Sequence, residues 1–230
     1  MKPLLLKFGR KVKRTILPGC PFPHSFSQEG EDMVLARVFE HQPKGFYVDV
    51  GAHHPVRFSN TYFFYRRGWR GINIDATPGS MEAFRKIRPR DTNVEAAVSD
   101  ASGSLEFSMF NEPALNTFDQ KLARERDGKA GYRIMSTKTV PLKKLSEILE
   151  QNLPGGQTID FLSVDVEGLD LPVLKSNDWK KFRPTFVLAE DFATETVEQA
   201  LSGPIASYLR DFGYRLFAKT AHTLIFRADS

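Results

Sequence analysis

Short apolar runs that end in an acid recur along this chain, and segments of helical periodicity separate them. Phe-Tyr-Val-Asp-Val-Gly closes at residues 46–51, Ile-Asn-Ile-Asp at 72–75, and Phe-Leu-Ser-Val-Asp at 161–165. Strands that alternate with helices cannot pair as hairpins, so they imply a parallel sheet covered by helices on both faces. The individual elements read as follows. Ser27 is expected to cap a helix with Glu29, Glu31 and Asp32 in its first turn. Strands are expected at 45–50, 71–76, 93–98, 105–110, 159–166 and 185–190. Helices are expected at 60–67, from the Thr77-Pro78 turn through Ile87, at 142–149 and over 194–212. Residues 111–135 are polar and irregular, long enough for a binding loop or lid. Two last strands, 214–219 and 223–227, form a closing hairpin, so one terminal strand should run antiparallel. The fold class expected is therefore a doubly wound, Rossmann-like α/β sheet, mostly parallel, with a C-terminal antiparallel hairpin strand.

In such a sheet ligands bind outside the carboxyl ends of the strands. Asp49, Asp75 and Asp165 stand at three of those ends. Gly51 allows the backbone after Asp49 to turn tightly, and a carboxylate at Asp75 can accept hydrogen bonds from two ribose hydroxyls. A dinucleotide loop would place glycines at 53 and 56 to receive a pyrophosphate; here His53 and Val56 stand there. The pattern suits a ribose-bearing cofactor without phosphate, such as S-adenosylmethionine. The alternative is that both acids only satisfy loop amides.

Taken together, Val-Asp-Val-Gly-Ala-His-His-Pro (48–55), Ser-Asn-Thr (59–61), Gly-Trp-Arg-Gly-Ile-Asn-Ile-Asp-Ala (68–76) and Asp-Phe-Leu-Ser-Val-Asp-Val-Glu-Gly (160–168) resemble the FkbM family of methyltransferases. Ser-Gln-Glu-Gly-Glu-Asp (27–32) also occurs in that group, and the resemblance runs from about residue 25 to 191. It implies a class I methyltransferase fold, S-adenosylmethionine as donor, and a hydroxyl oxygen as the usual acceptor. By the same resemblance Asp49, Gly51, Ala52 and His53 fall on the glycine loop, Asp75 on the ribose-binding acid with Ala76 after it, and Ala97 beside the adenine. His53 and Pro55 replace glycines of the common loop, so methionine contacts are expected to differ in detail. Gln28 and Glu31 could fold over the cofactor from the first helix; first-turn charge explains Glu31 equally well.

Methyl transfer to a neutral hydroxyl needs alignment, exclusion of water, and a base or a metal to take up or weaken the proton. Asp165, Glu190 and Asp191 end neighbouring strands and are expected to hold a hard cation, Mg²⁺. His54 is the candidate general base, since imidazole titrates near neutrality. Glu167 would bind acceptor or cofactor amine, or begin the next helix, and Asp165 is placed on both the cofactor and the catalytic side. His24, His41 and His222 fall in turns or near helix ends and are expected to be structural.

Charge divides the chain. Lys2, Lys7, Arg10, Lys11, Lys13 and Arg14 occupy the first fourteen residues without an acid. The formal charge is +4, so without those six the remainder is net −2, which argues against a broad nucleic-acid-binding face. Leu5, Phe8, Val12 and Ile16 recur at helical spacing among the cations, so residues 1–17 could lie on an anionic membrane or pack on the domain. The Pro-Gly-Cys-Pro-Phe-Pro run at 18–23 is a linker, leaving 24–230 as one methyltransferase domain. One cysteine, Cys20, precludes an intrachain disulfide and agrees with a cytoplasmic setting. The expected acceptor is a sugar hydroxyl of a glycan, glycolipid or glycosylated metabolite. The rival readings are a non-catalytic cofactor- or partner-binding module and a nucleotide-sugar or NAD-dependent enzyme.

Overall fold

The computed structural model describes residues 24–229. The amphipathic segment 1–17 and Cys20 lie outside the described residues. Strands β1 (Phe46–Val50), β2 (Arg70–Asp75) and β3 (Thr92–Glu95) build one half of the main sheet. A second sheet holds β4 (Ala97–Val98), β5 (Ser104–Phe110) and β6 (Ile134–Lys143), in the order β4-β6-β5. Strands β7 (Phe161–Val164), β8 (Phe186–Glu190), β9 (Tyr214–Lys219) and β10 (Thr223–Ala228) complete the main sheet, whose order is β3-β2-β1-β7-β8-β10-β9. Its β3-to-β8 part is wholly parallel, and β10 runs antiparallel between β8 and β9. This is the expected class I methyltransferase sheet. Its strand order reverses at β1 and β7, which puts the switch point at Asp49–Gly51 and Asp165.

The pleat decides what each face receives. Phe46, Val48, Val50, Leu162 and Val164 join one core with Val187, Ala189 and Phe226, under α5 (Leu145–Asn152), α6 (Asp170–Lys175) and α8 (Pro204–Arg210). Tyr47, Phe161, Phe186 and Leu188 point the other way and meet Leu35 and Phe39 of α1 (Glu31–Val38) and Phe63 and Phe64 of α2 (Tyr62–Arg66). That second core is aromatic: Phe39, Phe64, Trp69 and Phe161 all lie within stacking or edge contact of one another. Each such ring contributes about 1.5–3 kcal/mol by burial, and its aromatic contacts about 0.5–1.5 kcal/mol more. The β1 residues Tyr47 and Asp49 and the β7 residue Ser163 share this face. Asp49 and Ser163 therefore need polar partners inside the protein rather than in the cleft.

Several boundaries differ from the sequence reading. Ser27 is not the N-cap: Gly30, at φ 88°, precedes α1, and Ser27 instead donates to Asp32 at 2.8 Å. The single strand expected at 93–98 is two strands in different sheets, because the chain leaves β2 after Glu95 and joins β6 at Ala97. The loop expected at 111–135 contains a 3₁₀ turn, Pro113–Leu115, and α4 (Gln120–Arg126), capped by Asp119 through the amides of Lys121 and Leu122. The strand β6 that follows was not anticipated; its residues are mostly exposed, so it carries no buried alternation to read. It also takes in Leu142 and Lys143, the expected start of the next helix. The helix expected over 194–212 breaks into α7 (Val197–Ser202) and α8 at Gly203-Pro204, where proline lacks the amide a continuous helix requires. The remaining helix, α3 (Met81–Ile87), lies between β2 and β3, and its N-cap is Ser80 rather than Thr77.

Candidate active site

The carboxyl ends of β1, β2 and β7 converge on a cleft of about 790 Å³, counting its open mouth. Gly51, His53, Asp75, Ala76, Asp165 and Glu167 line it, and Gln28 reaches it from the segment before α1. Gly51 sits at φ +82°, and a Cβ there would stand 1.7 Å from the carbonyl oxygen of Asp165. Glycine is thus required for β1 and β7 to touch at the switch point. Asp75 accepts the His53 amide on Oδ2 at 2.9 Å and the Thr77 amide on Oδ1 at 2.8 Å. Each oxygen retains lone-pair capacity, which suits a pair of ribose hydroxyls.

Asp49, Ala52 and Ala97 are placed otherwise than on the cleft wall. Asp49 is 4% exposed and accepts Thr61 Oγ1 at 2.7 Å. Thr61 in turn accepts Arg88 Nη2 at 2.9 Å, and the fully buried Arg88 also donates to Tyr47 and pairs with Asp91. Burial pushes the Asp49 carboxyl up to about 6, against the pull of Arg88 and Thr61. Asp49 is a buried support for the loop, as its pleat position demands. Ala52 packs with Met81 and Phe84 under α3. Ala97 is 1% exposed, and its neighbours Ala96 and Val98 face the cleft.

The two histidines divide in role. His54 Nδ1 accepts the amides of Val56 at 3.1 Å and Arg57 at 2.9 Å, so the ring caps the turn 54–57 and does not line the cleft. His53 lines the cleft; burial lowers its pKa, and its Nε2 is buried without a partner. His53, Phe58 and Glu167 carry φ values of 51°, 56° and 57°, and all three line the cleft. Left-handed backbone at non-glycine residues costs of order 1–3 kcal/mol and gathers at functional sites.

Carboxylate oxygens of Asp165, Glu167 and Glu190 lie within 4.8 Å of one another. Burial, then the charge of Glu167, pushes Asp165 up to about 7; burial, then Asp165, pushes Glu190 up to about 11. The pair therefore gives up its first proton near pH 7 and keeps the second well above it. Burial also raises Glu167, opposed by Arg126 of α4, whose Nη2 is 2.7 Å from Oε2. Asp191, expected in the metal set, is not part of the cluster. Its Oδ1 accepts the Ala193 amide at 2.9 Å and its Oδ2 the Thr194 hydroxyl at 3.2 Å, so it caps the turn after β8. Glu167, on the left-handed turn at 167–168, stands in its place.

Other residues of the site were not legible in the sequence. Phe58, Phe107 and Phe118 give the cleft its apolar wall. Asn116 donates to Thr77 Oγ1 at 3.2 Å, and Thr117 Oγ1 to the Glu167 carbonyl at 2.9 Å, so the segment expected as a lid is tied to both sides of the cleft. The Ser-Gln-Glu-Gly-Glu-Asp acids are anchors: Glu29 accepts from Thr220 and His222, Glu31 from Thr223, and Asp32 from Ser25, Phe26 and Ser27. Glu31 therefore does not fold over the cleft, while Gln28, held between these anchors, does. His222 pairs with Glu29 and is structural, as expected.

The family model of the methyltransferase FkbM domain matches residues 49–216, which is most of the chain. No curated protein matches the sequence. Among solved structures the chain is similar to a TehB-like SAM-dependent methyltransferase from Corynebacterium glutamicum, at 10% identity over 97% of both chains and a TM-score of 0.42. It is also similar to a Klebsiella pneumoniae protein provisionally named an O-methyltransferase, at 11% identity over 100% of this chain and 91% of that one, with a TM-score of 0.44.

Proposed function

The chain belongs to the methyltransferase FkbM family, and from that premise we propose that it transfers a methyl group from S-adenosylmethionine to a hydroxyl oxygen of a sugar. The observation that carries the reading is the carboxyl cluster Asp165–Glu167–Glu190, which stands across β1 from Asp75 with Asp165 and Glu167 on the cleft wall. With ribose held at Asp75 and the adenine against the apolar wall, the sulfonium methyl would be directed toward this cluster. The acceptor oxygen attacks that methyl group in line, the carbon–sulfur bond breaks, and S-adenosylhomocysteine leaves. The hydroxyl proton goes to the Asp165–Glu190 pair, whose lower pKa of about 7 suits a base working near neutrality. Phe192, 48% exposed just after β8 and tilted against His222 at 5.4 Å, offers an aromatic face of the kind that sugar rings stack on.

A second reading is favoured by the same three carboxylates. Their spacing and hard oxygen donors fit Mg²⁺, and Glu190 Oε2 is buried without a hydrogen-bond partner. When bound, the ion would lower the pKa of the acceptor hydroxyl. Asp165, Glu167 and Glu190 would hold it.

The test is transfer of labelled methyl from S-adenosylmethionine into an extract of cells lacking the gene. Label in the carbohydrate fraction, stable to mild alkali as an ether must be, is the expected result; label only in protein or in base-labile esters overturns the sugar hydroxyl. Asp165→Asn should slow turnover by about 10²-fold or more, the range for loss of a general base. S-Adenosylhomocysteine affinity should stay within a few-fold. Full activity in strong chelator separates the base from the metal.

A further inference from the structure

The end of the sheet opposite the cleft has a different chemistry. In a parallel sheet with crossover helices, strands begin and helices finish at that end. Arg66 and Arg67 close α2, Arg70 begins β2, Arg85 and Lys86 close α3, and Arg90 precedes β3. Contacts gather them onto one surface. The Arg90 guanidinium lies 3.9 Å from the Tyr65 ring and donates to the Tyr65 carbonyl, beside Arg66. The amide of Gly71, next to Arg70, donates to Asp91 at 2.9 Å.

Of the neighbouring acids, Glu82 of α3 is exposed beside Arg85 and Lys86, and the others are engaged. Asp91 is buried against Arg88, and Glu40 pairs with Arg37 and His41. Among the described residues, none of the six surface cations makes an ion pair. A chain whose residues beyond 14 sum to −2 thus concentrates positive charge on one face, while the buried carboxyls gather at the cleft. Ile87, 43% exposed, stands among the cations.

The described chain begins beside α2, where the Phe26 carbonyl accepts the Ser59 amide and its ring meets Tyr62 at 4.8 Å. His24 packs edge-on against Phe26 at 5.1 Å, and the Arg66 guanidinium is 5.7 Å from the Phe26 ring.

We propose that this face docks the protein on an anionic lipid surface, with the cleft turned away from it. An exposed isoleucine among cations fits a lipid interface, where apolar insertion and charge act together. Single-stranded nucleic acid instead calls for exposed aromatic platforms, and the rings here, Tyr65 and Phe63, are buried. The orientation admits acceptors that reach the cleft from the aqueous side.

The experiment is co-sedimentation of the full chain with phosphatidylcholine vesicles, with and without about one third phosphatidylserine, a composition that gives a negative surface potential. Binding is expected only to the anionic vesicles and is expected to fall when salt is raised to half molar. The triple variant Arg66→Glu, Arg70→Glu, Lys86→Glu should weaken partitioning at least about tenfold, since each cation is worth about fivefold near such a surface. Its melting temperature and S-adenosylhomocysteine affinity should stay near wild type, because all three side chains are exposed and far from the cleft. Wild-type partitioning by this variant overturns the role of the face. Equal binding to neutral vesicles, or binding to single-stranded RNA with none to vesicles, overturns the lipid surface.

Discussion

Gly51 and Asp165 meet backbone to backbone, and this contact governs the whole switch point. A methyl group added at Gly51 would fall 1.7 Å from the Asp165 carbonyl oxygen, and the residue needs a φ of +82° besides. Gly51→Ala should therefore destabilise the protein by on the order of 3 kcal/mol or more, as overpacking combined with backbone strain does. Chemical denaturation measures it; a loss under about 1 kcal/mol would show that β1 and β7 can separate at small cost. The sequence marked Gly51 for a tight turn, and the structure adds that a neighbouring strand leaves no room for a Cβ there. Asp49 carries a similar lesson. Val48 and Val50 flank it on the opposite face, so strict alternation already directs it into the interior. What alternation does not supply is its partner: Arg88 lies 39 residues away and reaches Asp49 through Thr61.

Elements moved functional residues more than they moved the fold. Strands β1, β2, β7 and β8 were legible because each is a short apolar run with an acid or glycine at or just after its end. The β4–β6 sheet was not, because β6 is exposed along most of its length and shows no buried period. That sheet carries Phe107 to the cleft, and the segment between β5 and β6 carries Asn116, Phe118 and Arg126. The α4 helix meets the carboxyl cluster through an ion pair, Arg126 with Glu167, both sides largely sheltered from water. If that pair positions Glu167, Arg126→Gln should lower kcat several-fold, and Arg126→Lys should restore part of it. S-Adenosylhomocysteine affinity should change less than kcat in both. Equal losses in the Lys and Gln variants, with a lowered melting temperature, would assign Arg126 to structure alone.

At the scale of the whole molecule the buried carboxyls couple stability to pH. Asp49 is pushed up to about 6 and Asp165 to about 7, both from an ordinary value of 3.8. A carboxyl with a raised folded pKa contributes most when protonated, below its unfolded value, and that contribution is lost as pH rises through the folded value. Without ligand, melting temperature should thus fall between about pH 5 and pH 8, by an amount on the order of 2–4 kcal/mol in stability. Asp165→Asn, which cannot ionise, should flatten part of that slope; an unchanged slope would place the titration elsewhere. Glu29 works in the opposite sense. Burial favours its neutral form, but bonds from Thr220 and His222 outweigh this and lower its pKa, so its contribution is lost in acid. Turnover should rise through pH 7 as the Asp165–Glu190 pair loses the first of its two protons, so the pH of best catalysis lies above that of best stability.

Among the described residues no helix is long and apolar enough to cross a membrane. The sequence by itself determined the alternation of strand and helix, the acids at the strand ends, the closing hairpin and the family. These are local patterns: two-residue and 3.6-residue periods, turn residues, and motifs of a few adjacent positions. Only the tertiary structure decided that Glu167 rather than Asp191 joins Asp165 and Glu190, that His54 holds a turn while His53 faces the cleft, and that a cationic face stands opposite an acidic cleft. Each of those depends on side chains from separate elements meeting in space. One residue of register or one left-handed φ changes which of two neighbours points inward, and no short stretch of sequence carries that information.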